Sequence, residues 1–134
     1  RGEEHLHPSP WDPKGGVAIG HVKNVLALDG FAVMQDYAQE RSGRVAFRGH
    51  GVFRWDQEAQ NYVLHWFDSM GQVPTEFRGS FEGSVLTLQC RQPHGLTRAA
   101  FDFRQPKQYT YRMEVSPDGE NWFPFMGGTY TRQE

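Results

Sequence analysis

The chain has 134 residues, 14 of them Lys or Arg and 16 Asp or Glu, for a formal charge of −2, with 14% aromatic residues. At this length 1–134 reads as one domain that removes roughly 68% of its unfolded surface from water. The near-neutral balance, without a basic block, argues against a nucleic-acid or anionic-membrane partner, and no apolar run approaches the ~20 residues of a helical membrane span.

Cys90 is the only cysteine, which rules out an internal disulfide and fits a reducing, cytoplasmic setting. Arg1-Gly2-Glu3-Glu4 enters strand-like sequence with no methionine and no lead-in, so the numbering is expected to begin inside a longer native chain.

Period-two alternation bounded by turn chemistry predicts ten strands, at 2–7, 17–28, 31–40, 45–55, 61–68, 73–81, 85–91, 96–104, 108–116 and 122–132. Asp29-Gly30, Ser42-Gly43, Glu82-Gly83 and Asp118-Gly119 supply the positive φ angles of tight connections. No apolar series holds a 3.6-residue period, so no helix is predicted. Consecutive antiparallel strands are expected to close into an up-and-down barrel that hides its edges. A barrel of about eight to ten strands leaves space inside for one small ligand.

In the first strand, Glu3, His5 and His7 share a face. Two histidines at i and i+2 can share a metal and Glu3 can add an oxygen, but a polar terminal face has the same pattern. No metal is therefore assigned, and His5 with His7 stays an alternative only. His21 and His50 are read as outward, beside Lys23 and Arg48. In the third strand, Gln35, Tyr37 and Gln39 share one face. Gln35 and Tyr37 can orient a guest inside the barrel; equally, Tyr37 can be a core residue whose hydroxyl reaches the surface. The fourth strand sets Phe47, Gly49, Gly51, Phe53 and Trp55 against Arg48, His50, Val52 and Arg54, and the aromatic side reads as interior.

The fifth strand, in YVLHWFDSMG, places His65 near Asp68, which suggests a catalytic pair. Strand geometry separates them. Residues i and i+2 share a face and i and i+3 do not, so Trp66 and Asp68 go with Tyr62 and Leu64, and His65 with Val63 and Phe67. Trp66 and Asp68 are expected inward, because the reverse leaves Tyr62, Leu64 and Trp66 in solvent. Asp68 then either accepts N–H bonds from the turn at Ser69 to Gly71 or serves as a polar anchor or a general base. If the faces are reversed, His65 is the base. Further along, Glu76 and Arg78 read as a surface ion pair and Cys90 as an inert core thiol beside Leu86 and Leu88. Gly127-Gly128 reads as a bulge or a point of close packing.

The run GHGVFRWD (49–56), YVLHWFDSMG (62–71), FRGSFEGSVLTL (77–88), RMEVSPDGENW (112–122) and GTYTR (128–132) resembles the domain-of-unknown-function family numbered 1579, over most of the chain. That family is similar to lipocalin-like, or calycin, barrels. The resemblance implies an all-β, lipocalin-like barrel with an internal cavity and implies no established reaction. It places Trp11, in SPWDPKGG, in the connection that serves such barrels as a lid, where it either plugs the core or closes over a ligand. Related haem-binding barrels take their proximal histidine from near the C-terminus; no histidine follows His94, so no cofactor is expected.

The leading expectation is a module binding one small hydrophobic or aromatic ligand, lined by Trp11, Gln35, Tyr37, Phe53, Trp55, Trp66, Asp68 and Tyr111. Whether the chain is an enzyme stays open, with Asp68 or His65 as the general acid or base of that alternative. A homodimerising interaction protein is the third reading.

Overall fold

The computed structural model describes residues 2–6, 15–71, 73–93 and 95–131, the Glu3 side chain excepted. The strands are β1 (Gly2–Leu6), β2 (Gly16–Ala27), β3 (Ala32–Arg41), β4 (Arg44–Asp56), β5 (Asn61–Asp68), β6 (Thr75–Glu82), β7 (Val85–Gln92), β8 (Gly95–Gln105), β9 (Gln108–Ser116) and β10 (Phe123–Thr131). All ten fall within two residues of the bounds read from alternation. Among the described residues the one addition is a short 3-10 turn at Leu28–Gly30, where Asp29 takes φ 56°.

Each strand pairs antiparallel with its chain neighbour, and β1 pairs with both β2 and β10, which closes the barrel. Closure leaves no unpaired edge. Inside, Leu64, Phe77, Leu86, Leu88, Cys90, Ala99 and Phe101 form the buried cluster, contributed by β5 to β8. Burying a side chain such as Leu88 contributes about 1.5–3 kcal/mol.

The outer wall carries the charge. Arg78 bridges Asp56 at 2.9 Å and also pairs with Glu76, the surface pair expected from spacing. Arg98 meets Glu114 at 3.0 Å and lies over the Trp122 ring at 3.9 Å. His50 reaches Asp36 at 2.8 Å and His21 reaches Glu40 at 3.0 Å, both on the outside as expected. Exposed pairs of this kind are each worth at most about 1 kcal/mol. Val63 shares this face yet is wholly buried, because Arg54 and Arg78 flank it across the ladder and their aliphatic stems shield it.

Two irregularities bear on the interior. The bulge in β10 lies between Pro124 and Met126, not at Gly127-Gly128. Gly127 is a point of close packing instead: a Cβ there would come 3.3 Å from the Tyr111 carbonyl oxygen. In β4, Gly49 and Gly51 form a bed for the Trp66 indole, and a Cβ at Gly49 would overlap its six-membered ring. Gly49→Ala is therefore expected to cost about 1–3 kcal/mol, the usual range for overpacking. Urea denaturation would show this as a lower midpoint at unchanged slope, with a shifted Trp emission in the folded baseline; an unaltered midpoint would contradict the packing described.

Candidate functional site

Alternation sends Phe53 and Trp55 of β4, Tyr62 and Trp66 of β5, Phe81 of β6, Phe101 and Phe103 of β8, and Tyr109 and Tyr111 of β9 into the barrel. Their rings form a nearly continuous band. Trp55 meets Tyr62 at 4.9 Å, Tyr62 meets Phe81 at 5.4 Å, and Phe81 meets Phe103 at 6.2 Å. The band continues from Phe103 to Tyr109 at 5.4 Å and on to Tyr130 at 5.2 Å. At the end where β4 turns into β5 and β8 into β9, Trp55, Phe81 and Phe103 point inward yet remain 42%, 43% and 44% exposed. Inward rings that keep contact with solvent mark an accessible barrel end.

The opposite wall, from β10 through β1 to β3, is polar. Its centre is Glu4, fully buried in the middle of β1. The Tyr37 hydroxyl donates to both carboxylate oxygens at 2.7 and 2.6 Å, and the Tyr130 hydroxyl donates to Oε2. Gln39 Nε2 approaches Oε1 at 3.5 Å, donates to the Tyr37 hydroxyl at 3.1 Å, and meets Met126 Sδ at 3.8 Å. Arg41 Nε in turn donates to Gln39 Oε1 at 3.3 Å. A buried carboxylate is costly unless hydrogen-bonded, and this one has donors from β3 and β10. Gly20 makes room: a Cβ there would sit 2.8 Å from both Glu4 Oε1 and the Tyr130 hydroxyl.

A second polar layer lies nearer the accessible end. Gln35 Nε2 donates to Asn24 Oδ1 at 3.0 Å, and the Asn24 amide also supports the Tyr109 hydroxyl. Burial, and next the negative charge of Glu4, hold the Tyr37, Tyr111 and Tyr130 phenols well above their ordinary range. Burial likewise pushes Tyr109 up to about 12, with Asn24 acting in the opposite sense.

Trp66 and Asp68 share the inner face, as alternation required. Trp66 Nε1 donates to Asp68 Oδ2 at 3.0 Å, and the Met70 amide donates to Oδ1 at 2.9 Å. Both Asp68 oxygens are thus engaged, one by the turn and one by its own strand neighbour. Trp66 also lies 6.0 Å from Tyr37, joining the two walls. His65 sits on the outer wall, where its Nε2 accepts from Arg54 Nε at 3.0 Å. It is not brought near Asp68. Of the ligand-lining residues expected, Gln35, Tyr37, Phe53, Trp55, Trp66, Asp68 and Tyr111 all face inward, and Trp11 lies outside the described residues.

His5 is exposed on β1 and His7 lies outside the described residues. Among the described residues no group of three His, Cys, Asp or Glu side chains is arranged to hold a metal. Cys90 is buried, and that burial raises its thiol to about 11, as befits a packing residue.

Sequence reasoning passed over Glu4 and Tyr130. The available signal was that Glu4 shares its face with Gly2 and Leu6, where a carboxylate demands buried donors.

The class is thus a closed ten-stranded antiparallel up-and-down barrel with one aromatic and one tyrosine–glutamate wall. Comparison with protein families goes further: the model of the family described as "Protein of unknown function (DUF1579)" matches residues 12–132, and the chain belongs to that family. Among solved structures it is similar to the crystal structure of Rv2717c from M. tuberculosis, at 12% identity and a TM-score of 0.73 over 99% of this chain and 89% of that one. At that identity the likeness concerns the fold alone. No curated protein matches the chain.

The raised phenols yield a pH prediction. A phenol whose folded pKa exceeds its unfolded value near 10 keeps its proton in the fold while the unfolded chain loses it. Stability is therefore full below about pH 10 and falls as pH rises above it. Absorbance titration should show four of the five tyrosines (37, 109, 111 and 130) ionising only as the chain unfolds. Smooth titration of all five near pH 10 with the far-UV spectrum intact would contradict the buried cluster.

Proposed function

We propose that the barrel is a binding module that takes one small molecule with an apolar or aromatic body into its accessible end. One observation carries this reading: Trp55, Phe81 and Phe103 face the interior and still keep two-fifths or more of their surface open to solvent. A barrel serving only as a scaffold gains by burying such rings, at about 25 cal/mol per Å². Half-buried rings leading to a few fixed polar groups are the usual composition of a ligand site. Gln35, Tyr37, Tyr111 and Asp68 would orient the guest, and Phe53, Trp55 and Trp66 would hold its body. Among the described residues no helix is long and apolar enough to cross a membrane. The single buried thiol, Cys90, supports a cytoplasmic setting.

The test uses N-phenylnaphthylamine, an uncharged fluorophore that brightens in apolar surroundings. We expect saturable binding of one equivalent with quenching of tryptophan emission. Trp55→Ala/Phe103→Ala should weaken it about tenfold through lost apolar contact, with circular dichroism and the melting temperature checking that the variant stays folded, since both rings are half-buried. Absence of saturable binding to the parent protein, together with native mass spectra that never show a co-purified ligand, would count against the reading.

A second reading, self-association through the same end, rests on Leu28 and Phe31, which are 74% and 80% exposed in the β2–β3 turn. If it holds, sedimentation velocity shows a dimer in the parent and a monomer in Phe31→Ser; a monomeric parent removes it.

A further inference from the structure

The polar wall is electronegative by construction. A phenol has one proton to donate, and Tyr37 and Tyr130 both commit theirs to Glu4. What these hydroxyls have left is lone pairs. Gln35 adds to this. It is only 9% exposed, its Nε2 is taken by Asn24, and its Oε1 has no hydrogen-bond partner among the described residues. The Tyr111 hydroxyl lies beside the cluster on β9, within the negative field of Glu4. By strand alternation, the inner wall between Gln39 and the accessible end carries no lysine or arginine among the described residues. Arg41 lies beyond Gln39 and is turned to its amide oxygen. At the accessible end, Trp55, Tyr62, Phe81 and Phe103 lie ring against ring, an aromatic surface whose ring faces attract a cation that stacks on them.

Accordingly, we propose that the site prefers a ligand whose polar head donates hydrogen bonds and carries positive charge: an aromatic or alkyl amine. A carboxylate of the same body is selected against. The ammonium head meets Gln35 Oε1 and the hydroxyl oxygens of the tyrosine cluster, while the fully buried Glu4 acts on it through those tyrosines without touching it. Glu4 is a positioning residue: it fixes the direction of two phenol protons and supplies the negative potential. The inference rests on the proposed ligand site at the accessible end.

The test is a head-group series on one body, naphthalenemethanamine, naphthalenemethanol and naphthoate, titrated calorimetrically into the parent protein near neutral pH. The expected order is amine, alcohol, carboxylate, with the amine about tenfold or more tighter than the carboxylate. In Glu4→Gln, which keeps the shape and an acceptor but removes the charge, that ratio should fall towards one while the alcohol changes little. Circular dichroism establishes whether the variant is folded. If it is not, the parent series decides alone. An amine-to-carboxylate ratio near one or reversed in the parent overturns this inference and leaves the ligand site standing. No binding by any of the three, with no binding of N-phenylnaphthylamine, overturns both.

Discussion

Twisted antiparallel sheets end in two edges unless the first and last strands meet, and β1 is the five-residue piece that joins them here, pairing with β2 on one side and β10 on the other. A strand so short gains little from its own ladder, and the seam it fills would otherwise expose two rows of unpaired backbone groups. Glu4 adds a second tie. It sits at the centre of β1 and accepts from Tyr37 on β3 and Tyr130 on β10, so one carboxylate spans the seam from both sides. Removing the strand unpairs the facing backbone of β2 and β10, and removing its carboxylate's partners leaves a buried acceptor short of donors, which costs more than the bond itself contributes. The closed barrel, the inward tyrosines and the division of the interior all depend on this junction.

From that junction the interior divides in two. Strands β5 to β8 supply aliphatic and aromatic side chains that pack as an ordinary core. Strands β1 to β3, β9 and β10 supply Glu4, Asn24, Gln35, Tyr37, Gln39, Tyr109 and Tyr130, joined mainly through hydrogen bonds, with Tyr111 packed between them and the core. Trp66 mediates between them. Its indole lies on the bare backbone of Gly49 and Gly51, its ring faces Tyr37, and its N–H ends on Asp68. The glycines matter for the space they leave.

Most of the fold was legible in the sequence because strand alternation and turn chemistry are local. The face of Trp66 and Asp68 also followed, since placing Tyr62, Leu64 and Trp66 outside would waste their apolar area. The outer ion pairs Glu76–Arg78 and the outward His21 and His50 came from the same spacing. The polar cluster did not. Glu4 is flanked by Glu3 and His5 in a short, acidic strand, and attention falls on Glu3, His5 and His7, which the i, i+2 spacing groups together. Its partners are 33 and 126 positions away. Nothing local distinguishes a solvated glutamate from one clasped by tyrosines at that distance. Nor did spacing show that Asp68 gives one oxygen to the turn and the other to Trp66, because indole direction depends on what it packs against.

By itself, then, the sequence determined the number of strands, their bounds to within two residues, the inner and outer faces of the central ones, and a soft aromatic interior, since these rest on period two and on positive-φ turn residues. Tertiary structure alone decided that β1 closes the ring, that Glu4 is buried and held by Tyr37 and Tyr130, and that three inward rings stay open at one end. Those outcomes are set by which strands meet across the barrel. That pairing is a long-range choice made by register and closure, and no window of neighbouring residues contains it.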